Sequence, residues 1–323
     1  MNSFGRIFRV HIFGESHGPA VGVTIDGCPA GIPLSQADFE KDTERRKAGA
    51  AGTTPRKEDD IPEILSGVFN NATTGAPITI IFRNNNTRSA DYEALRDTPR
   101  PGHADFVLHK KFDGYNDYRG GGHSSGRLTL CLVAAGVVAK KVLKDISIIA
   151  QLIEAGGNTD IEAAIQKAVE EQDSIGGIVS CSVKGLPTGL GEPFFDSAES
   201  LISHIVFSIP AIKGIEFGSG FGAAKMKGSE HNDAIIDADG TTATNNAGGI
   251  NGGITNGNEQ IFRIAVKPTS STPKEQQTWN NKTQQVEPFA VKGRHDLCIA
   301  LRVPVVTEAA AAIALADLLL LNR

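Results

Sequence analysis

Two histidines of this 323-residue chain lie in short motifs of small residues, where a side chain is accessible for chemistry. His17 lies between Ser16 and Gly18 in FGESHGPAVGV, and His103 lies in the Pro-Gly turn of RPGHAD. An imidazole has an unperturbed pKa of about 6.5, so it gains or loses a proton near neutral pH. The two motifs therefore predict general acid–base chemistry.

A third motif, RGGGHSSGR at 119–127, predicts an anion-binding loop. It leads directly into a predicted buried helix at 126–144, whose free N–H groups and positive end attract anions. A glycine-rich turn without a ligand is the alternative. The loop contains neither GxGxxG nor GxxxxGK[ST], so it is not a Rossmann or Walker loop. A Ser-His-Asp triad that uses Ser16 stays open, although no GxSxG elbow supports it.

Arginines next to small residues suggest where an anion would bind. Residues 41–127 hold 14 Lys and Arg against 12 Asp and Glu, although the whole chain has a net charge of −5. Arginine forks beside Gly, Pro, Ser or Thr can grip a phosphate or carboxylate with two hydrogen bonds. A solvated basic surface is the alternative. KGRHDLC adds Arg294, His295 and Asp296 just before a predicted strand, and no HExxH or paired Cys/His spacing indicates a metal site.

Residue periodicity and capping residues predict the elements that position these motifs. The predicted helices cover 36–47, 126–144, 158–172, 196–209 and 307–322. The predicted strands are VGVTID, ITIIF, GGIVSCSV and QIFRIAV.

The chain contains an internal repeat. ESHGPAVGVTIDGCPAG at 15–31 aligns without a gap on DSIGGIVSCSVKGLPTG at 173–189, and a helix-like segment follows each copy. Two β-then-α units favour a single α+β domain over 1–323 with two pseudo-repeated halves. Ile175 occupies the position of His17 in the second copy, so the scaffold accepts an apolar side chain there. This contrast favours a chemical role for His17.

Composition restricts the class of protein. With 40% hydrophobic and 21% charged residues and an acidic net charge, the chain is typical of globular proteins and unlike nucleic-acid binders. The apolar runs 128–139 and 309–321 are shorter than the roughly 18 residues of a membrane span, so we expect buried helices and no membrane contact. The N-terminus lacks a secretory pattern and the four cysteines lack CxxC spacing, which predicts a cytoplasmic protein with reduced thiols.

Motifs along almost the whole chain resemble the chorismate synthase family. They are FGESHGPAVGVTIDGCPAGIPL, EILSGVFNNATTGAPI, RPGHAD, DYRGGGHSSGR, GLPTGLGEPFFD, SIPAIKGIEFGSGF, GSEHND, NNAGGINGGITNG, KPTSS and KGRHDLC. The resemblance implies a β-α-β sandwich whose sheets enclose helices. It also implies the reaction, a phosphate lyase step: anti-1,4 elimination of phosphate from 5-enolpyruvylshikimate 3-phosphate gives chorismate, the last step of the shikimate pathway to the aromatic amino acids. The family requires reduced FMN without net redox change.

The resemblance also implies residue roles. His17 matches the histidine that protonates the departing phosphate, His103 the one near flavin N1, and Asp296 the aspartate that acts with flavin N5 in removing the C6 proton. Ser16, Arg46 and Arg127 match substrate-binding residues, and Arg46 is also linked to NADPH in members that reduce their own flavin. The implied FMN contacts are His123, Ser124, Ser125, Pro210, Ala211, Gly252, Lys267, Pro268, Thr269, Ser270, Ser271 and Arg294.

The chain departs from the family pattern at several positions. His123 stands where arginine is usual, Gly126 and Leu128 where alanine and glutamate are usual, and Leu297 where proline is usual. RRKAG replaces RRRPG, and the loop after it is shorter and lacks an arginine, which favours dependence on a separate flavin reductase. The resemblance implies a homotetramer. Two other classes stay open, a flavin-binding NADPH oxidoreductase and an anion-binding protein without catalysis.

Overall fold

A computed structural model of the chain describes residues 2–49, 52–54, 58–85, 92, 95–291 and 295–322. The strands are β1 Ser3–Phe4, β2 Arg9–Gly14, β3 Ala20–Asp26, β4 Glu63–Ser66, β5 Val68–Phe69, β6 Ala72–Thr73, β7 Ile78–Arg83, β8 Ser147–Ala155, β9 Gly177–Lys184, β10 Ile212–Phe217, β11 Ile250–Asn251, β12 Ile254–Thr255, β13 Gln260–Val266, β14 Gln276–Asn280 and β15 Gln285–Phe289. The helices are α1 Glu40–Arg46, α2 Asp105–Lys111, α3 Thr129–Leu143, α4 Ile161–Glu171, α5 Ala198–Val206, α6 Gly228–His231 and α7 Val303–Leu321.

Side chains that alternate between buried and half-buried define the central strands. Burial alternates at every residue of β13, because successive side chains of a strand point to opposite faces of the sheet. β13 pairs antiparallel with β9 from Gln260 opposite Val183 to Val266 opposite Gly177. The other central strand, β3, pairs antiparallel with β2 and β7.

The two main sheets have the same topology. One has the strand order β1-β2-β3-β7-β4 and the other β10-β13-β9-β8. When the short edge strand β1 is left out, β2, β3, β7 and β4 of the first sheet correspond in order to β8, β9, β13 and β10 of the second. The helices that follow β3 and β9 begin at Glu40 and Ala198, which the gap-free alignment of the two repeats places opposite each other. The predicted pseudo-repeated halves therefore describe the architecture.

Two helices that are apolar on nearly all sides lie between the sheets. α3 packs against β2 and β3, α7 packs against β8 and β9, and the two helices pack against each other. A helix with no polar face is stable only when it is surrounded by protein. They approach closely at Gly136, where an added Cβ would lie 2.3 Å from the Cβ of Ala309. The predicted α+β class, with sheets enclosing helices, is confirmed.

The C-terminal apolar segment differs from its prediction in two ways. The strand expected after Asp296 is absent, because Ile299–Arg302 forms a 3-10 turn that continues into α7. The helical run Ile299–Leu321 consequently begins before the predicted helix 307–322 and, within the described part of the chain, it alone is long and apolar enough to cross a membrane. Since 83% of its apolar window is buried inside the protein, it has the character of a core helix.

Candidate active site

A cavity formed by the described residues has a volume of about 1500 Å³. Its wall contains most of the predicted site residues: Ser16, Arg46, His103, His123, Ser124, Ser125, Arg127, Pro210, Ala211, Lys267, Pro268, Thr269, Ser270 and Asp296. A site for one small ligand typically measures about 300–1,000 Å³. The cavity therefore has room for two ligands side by side.

Four predicted site residues do not belong to this wall. His17 lies behind Gly120, which does line the cavity. Ser271 is buried and its Oγ accepts a hydrogen bond from Arg100. Gly252 lies in the turn between β11 and β12, with nothing within 4 Å of an added Cβ. Arg294 is outside the described residues.

His17 is buried against the glycine-rich loop. An added Cβ at Gly120 would lie 2.4 Å from both Cε1 and Nδ1 of the His17 ring. The ring also packs edge-on against Tyr92, with 4.9 Å between ring centroids. Gly120, Gly121 and Gly122 all have positive φ, a backbone conformation that glycine adopts without strain. Glycine at position 120 is therefore what brings the imidazole next to the cavity wall.

His103 is oriented by a carboxylate. Its Nδ1 lies 2.6 Å from Oδ1 of Asp105 and 3.1 Å from Nη2 of Arg100. In the tautomer with the proton on Nδ1, this nitrogen donates a hydrogen bond to the carboxylate. Arg100 binds the same carboxylate through Nε at 2.8 Å and Nη2 at 2.9 Å. Burial alone would raise the pKa of Asp105, but hydrogen bonds from Arg100 and His103 lower it well below its usual value. Asp105 is thus an ionised carboxylate, and Nε2 of His103 is left to exchange protons with a ligand.

The turn that carries His103 is attached to the KPTSS segment. The carbonyl oxygen of Gly102 accepts hydrogen bonds from Nζ of Lys267 at 3.0 Å and Oγ of Ser270 at 2.7 Å. Burial and the charge of Lys213 lower the pKa of Lys267. Oγ1 of Thr269 is buried without a hydrogen-bond partner among the described residues, and Thr269 lines the cavity. An unsatisfied buried hydroxyl is costly unless a ligand or water pairs with it, so this segment is suited to hold a polar ligand.

Arg46 and Arg127 are buried, and their guanidinium groups converge on one carboxylate. Nη1 of Arg46 donates to Oδ2 of Asp60 at 3.3 Å, and Nη1 of Arg127 pairs with Oδ1. Burial, with the nearby charges of Arg302 and Arg127, lowers the pKa of Arg46 to about 9, so it stays protonated at neutral pH. Two guanidinium groups therefore lie at the cavity wall with Asp60 as their shared counter-ion.

Asp296 is held at the wall by two contacts. Its Oδ1 accepts a hydrogen bond from the backbone N–H of Thr54 at 2.9 Å, and its Oδ2 pairs with Nη1 of Arg302 at 3.2 Å. Arg302 also donates to the carbonyl oxygen of Arg46 at 2.9 Å. One arginine therefore connects the carboxylate of Asp296 to the buried Arg46.

The predicted anion-binding loop faces the cavity, but some of its polar groups are already paired. Ser125 caps the following helical segment by accepting a hydrogen bond from the N–H of Arg127 at 3.3 Å. His123 places Nδ1 2.7 Å from the carbonyl oxygen of Gly14 and Nε2 3.1 Å from Oδ1 of Asn2. His123 therefore also fastens the N-terminal residues to the loop.

Among the charged or polar residues of the wall that the sequence did not predict are Asp60, Arg302 and Tyr92. Asp60 lies in the acidic run EDD at 58–60, which is typical of an ordinary solvated loop. Nothing in the local sequence distinguishes Arg302 or Tyr92, since only the fold brings them to the cavity.

Fold and site together define an α+β protein whose large cavity combines buried arginines with an oriented histidine, as a binding site for polyanions requires. Comparison with known proteins gives the family: this chain belongs to the chorismate synthase family, whose model matches residues 8–320.

Similar proteins cover both chains almost completely. A chorismate synthase from Chitinophaga pinensis is 71% identical over 100% of this chain and 98% of its own length. One from Methanosarcina mazei is 44% identical over 98% of this chain and 95% of its own length. A chorismate synthase crystal structure superposes with a TM-score of 0.76 at 27% identity, over 98% of this chain and 93% of the other. The predicted family and fold class are confirmed.

Proposed function

We propose that this chain catalyses the reaction that gives its family its name. The substrate, 5-enolpyruvylshikimate 3-phosphate, loses its phosphate and a C6 proton in an anti-1,4 elimination and becomes chorismate. This step completes the shikimate pathway to the aromatic amino acids. The observation that carries the proposal is the cavity itself, which collects buried arginines, His103 and Asp296 from distant parts of the chain. A substrate with two carboxylates and a phosphate requires such a cationic site.

The site fits reduced FMN beside the substrate. Leu132 of α3, Val303 and Val306 of α7 and Ile209 after α5 give the wall an apolar part, against which a flat ring can stack. The unpaired hydroxyl of Thr269, with Lys267 and Ser270, offers polar groups for the rest of the cofactor. When bound, reduced flavin lends electron density to the substrate while phosphate leaves, without net redox change.

The chain's own residues bind, orient and move protons. His103 presents Nε2 to the cavity because Asp105 holds Nδ1. Asp296 is oriented by the N–H of Thr54 and by Arg302, as a carboxylate that accepts a proton must be. We assign to His17 the role of the acid that protonates the departing phosphate, on the family pattern and because its ring lies against Gly120 of the cavity wall.

One anaerobic assay tests the proposal. Enzyme, reduced FMN and 5-enolpyruvylshikimate 3-phosphate are mixed, and chorismate absorbance, phosphate release and flavin oxidation are followed together. We expect chorismate and phosphate in equal amounts, with the flavin still reduced at the end. Stoichiometric flavin oxidation would instead indicate an NADPH-type oxidoreductase, and no product at all would indicate an anion-binding protein.

The proposal extends to assembly and location. Large apolar side chains are exposed at Phe194, Phe195 and Phe221, which supports association of several copies into the homotetramer of the family pattern. We propose that the enzyme works in the cytoplasm as one domain over 1–323, and that a separate reductase, rather than NADPH bound near Arg46, supplies reduced flavin. Light scattering of the purified chain tests the tetramer. NADPH oxidation by enzyme and FMN alone would contradict dependence on a reductase.

A further inference from the structure

The carboxylate of Asp60 lies between two arginines of the cavity wall. Its side chain is 2% exposed, and each of its oxygens binds a different guanidinium group, Oδ1 that of Arg127 and Oδ2 that of Arg46. The side chains of both arginines are also almost fully buried, at 5% and 4% exposure. Asp60 therefore sits where a bound oxyanion would meet both arginines.

The backbone at Asp60 adopts an uncommon conformation to reach this position. Its φ is +53°, in the left-handed region where few residues other than glycine occur, although aspartate tolerates it better than most. Asp59, next to it, is exposed, and its side chain hydrogen-bonds Asn85 at 3.5 Å in the described part of the chain. Of these two adjacent acids, only Asp60 is directed at the arginines.

Both arginines have further partners that do not involve Asp60. Arg127 donates from Nε to Oδ1 of Asn84 at 3.0 Å, and Arg46 donates from Nε to Oγ1 of Thr129 and from Nη2 to the carbonyl oxygen of Gly126, both at 3.0 Å. These contacts hold the two guanidinium groups in place even when the carboxylate leaves. The Nη1 groups that face Asp60 would then be open to another anion.

Two buried cations this close need a counter-anion, because an uncompensated buried charge is strongly destabilising. A phosphate or carboxylate group could supply the same two oxygens that Asp60 supplies, with comparable charge-assisted hydrogen bonds. Asp60 thus neutralises the pair when no ligand is bound, and it competes with any ligand oxyanion for the same donors.

We propose that Asp60 occupies the binding position of a substrate oxyanion: its carboxylate neutralises Arg46 and Arg127 in the free protein and is displaced when that oxyanion binds. This deepens the proposed function, because the displacing group would be one of the substrate's anionic groups. Weakly charged ligands would fail to displace the carboxylate, so Asp60 also acts as a specificity-determining residue.

Titration of inorganic phosphate and of acetate into the full-length protein, by calorimetry, tests the proposal without any turnover. In the Asp60→Asn variant the competitor loses its charge but keeps its shape, so we expect phosphate to bind about tenfold more tightly than in the wild type. Asp59→Asn removes the same charge one residue away, and we expect a change of less than about twofold from long-range charge alone. If acetate gains more than phosphate, the displacing group is a carboxylate.

Equal changes in the Asp60 and Asp59 variants, or weaker phosphate binding in Asp60→Asn, would overturn the proposal and leave a purely structural ion pair. If Asp60→Asn does not fold, crystals of the wild-type protein soaked in saturating phosphate decide the question. We expect phosphate between the two arginines, with the carboxylate of Asp60 turned away. An intact Asp60 pair with no phosphate there contradicts the proposal. Chorismate formation alongside either negative result would refute this inference and leave the proposed function intact.

Discussion

At the scale of single residues, His17 is the residue whose proposed role is most directly testable. We expect His17→Ala to lower turnover by about a hundredfold or more, which is the usual contribution of a general acid. The fold should persist, because Ile175 occupies the equivalent position of the second repeat without any polar group. Steady-state kinetics and a thermal melt check both parts. Wild-type turnover in the variant would contradict the chemical role that the contrast between His17 and Ile175 indicates.

Gly120 determines where the His17 ring lies. In Gly120→Ala the new Cβ would fall 2.4 Å from the ring, and φ at this position is +59°, so the ring or the loop must move. We expect a loss of turnover of at least tenfold, since small displacements of a catalytic group are costly. Gly126→Ala is the matched control, because its φ is not positive and an added Cβ meets nothing within 4 Å. Equal activity of the two variants would contradict the prediction.

Asp105 should fix the tautomer of His103, and its own ionisation should make the stability of the protein depend on pH. The folded-state pKa of Asp105 is lowered, because hydrogen bonds from Arg100 and His103 outweigh the opposite effect of burial. The unfolded chain therefore takes up this proton first, near pH 3.9, as the pH falls. The stabilisation is complete above about pH 4 and is lost as the pH drops toward the lowered folded-state pKa.

We therefore expect Asp105→Asn to be less stable than wild type by a constant amount between pH 5 and 7, with the gap closing below pH 4. Urea unfolding at several pH values measures it, and the exposed Asp145→Asn should show no such pattern. Turnover should also fall by about a hundredfold, because an amide that donates to Nδ1 moves the ring proton to Nε2. If the difference in free energy of unfolding between wild type and Asp105→Asn stays constant below pH 4, Asp105 is not ionised as described.

At the scale of elements, the contact between α3 and α7 depends on Gly136. An added Cβ there would lie 2.3 Å from the Cβ and 2.5 Å from the Cα of Ala309, so the two helices would have to separate. We expect Gly136→Ala to lower the free energy of unfolding by about 1–3 kcal/mol, although alanine favours the helix by about 1 kcal/mol. Gly228→Ala in α6, where nothing lies within 4 Å, should be neutral or stabilising. Chemical unfolding of both variants makes the comparison.

Apolar patterns and capping residues in the sequence located five of the helices and four of the strands, but not the remaining elements. α1, α3, α4, α5 and α7 were all located, as were β3, β7, β9 and β13. The hairpin β14–β15 was missed because QQTWN and QVEPF are mostly polar and show no alternation. The strand expected after Asp296 was wrong because a short apolar run there belongs to the turn before α7. The secondary structure of a short apolar run is determined by tertiary packing and cannot be predicted from the local pattern alone.

Motifs predicted the site residues that lie in glycine- and proline-rich loops, but not those that only the fold brings together. Most of the predicted residues line one cavity, which the sequence could not show. Asp60 and Arg302 lie in unremarkable local sequence, and their importance comes from contacts with Arg46, Arg127 and Asp296. A single sequence contains residue types and spacing, whereas pairing across 6 to 256 positions is a property of the folded chain.

At the scale of the whole molecule, one buried carboxylate joins the two pseudo-repeated halves. Glu308 of α7 is 3% exposed and accepts hydrogen bonds from both Nη atoms of Arg45 at 2.7 Å, from Nζ of Lys140 at 3.0 Å and from the N–H of Ala150 at 3.0 Å. Arg45 belongs to α1, which follows β3, and Lys140 belongs to α3, which packs against β2 and β3 of the first sheet, whereas Ala150 belongs to β8 of the second. Burial would raise the pKa of Glu308, but Arg45 and Lys140 lower it.

Removing the negative charge of Glu308 should weaken the contact between the two halves and lower the free energy of unfolding. In Glu308→Gln, Arg45 and Lys140 lose a buried carboxylate but both still pair with Asp42. Because both cations are partly exposed, we expect a loss of stability that is measurable but smaller than the roughly 3–5 kcal/mol of a fully buried broken ion pair. Guanidinium unfolding followed by circular dichroism measures the loss. Glu171→Gln removes a carboxylate of the exposed pair with Lys167, and we expect no measurable change, because solvent screens such pairs. Similar losses in the two variants would show that the halves are held together by apolar packing of α3 and α7 alone, and that the charge on Glu308 is dispensable.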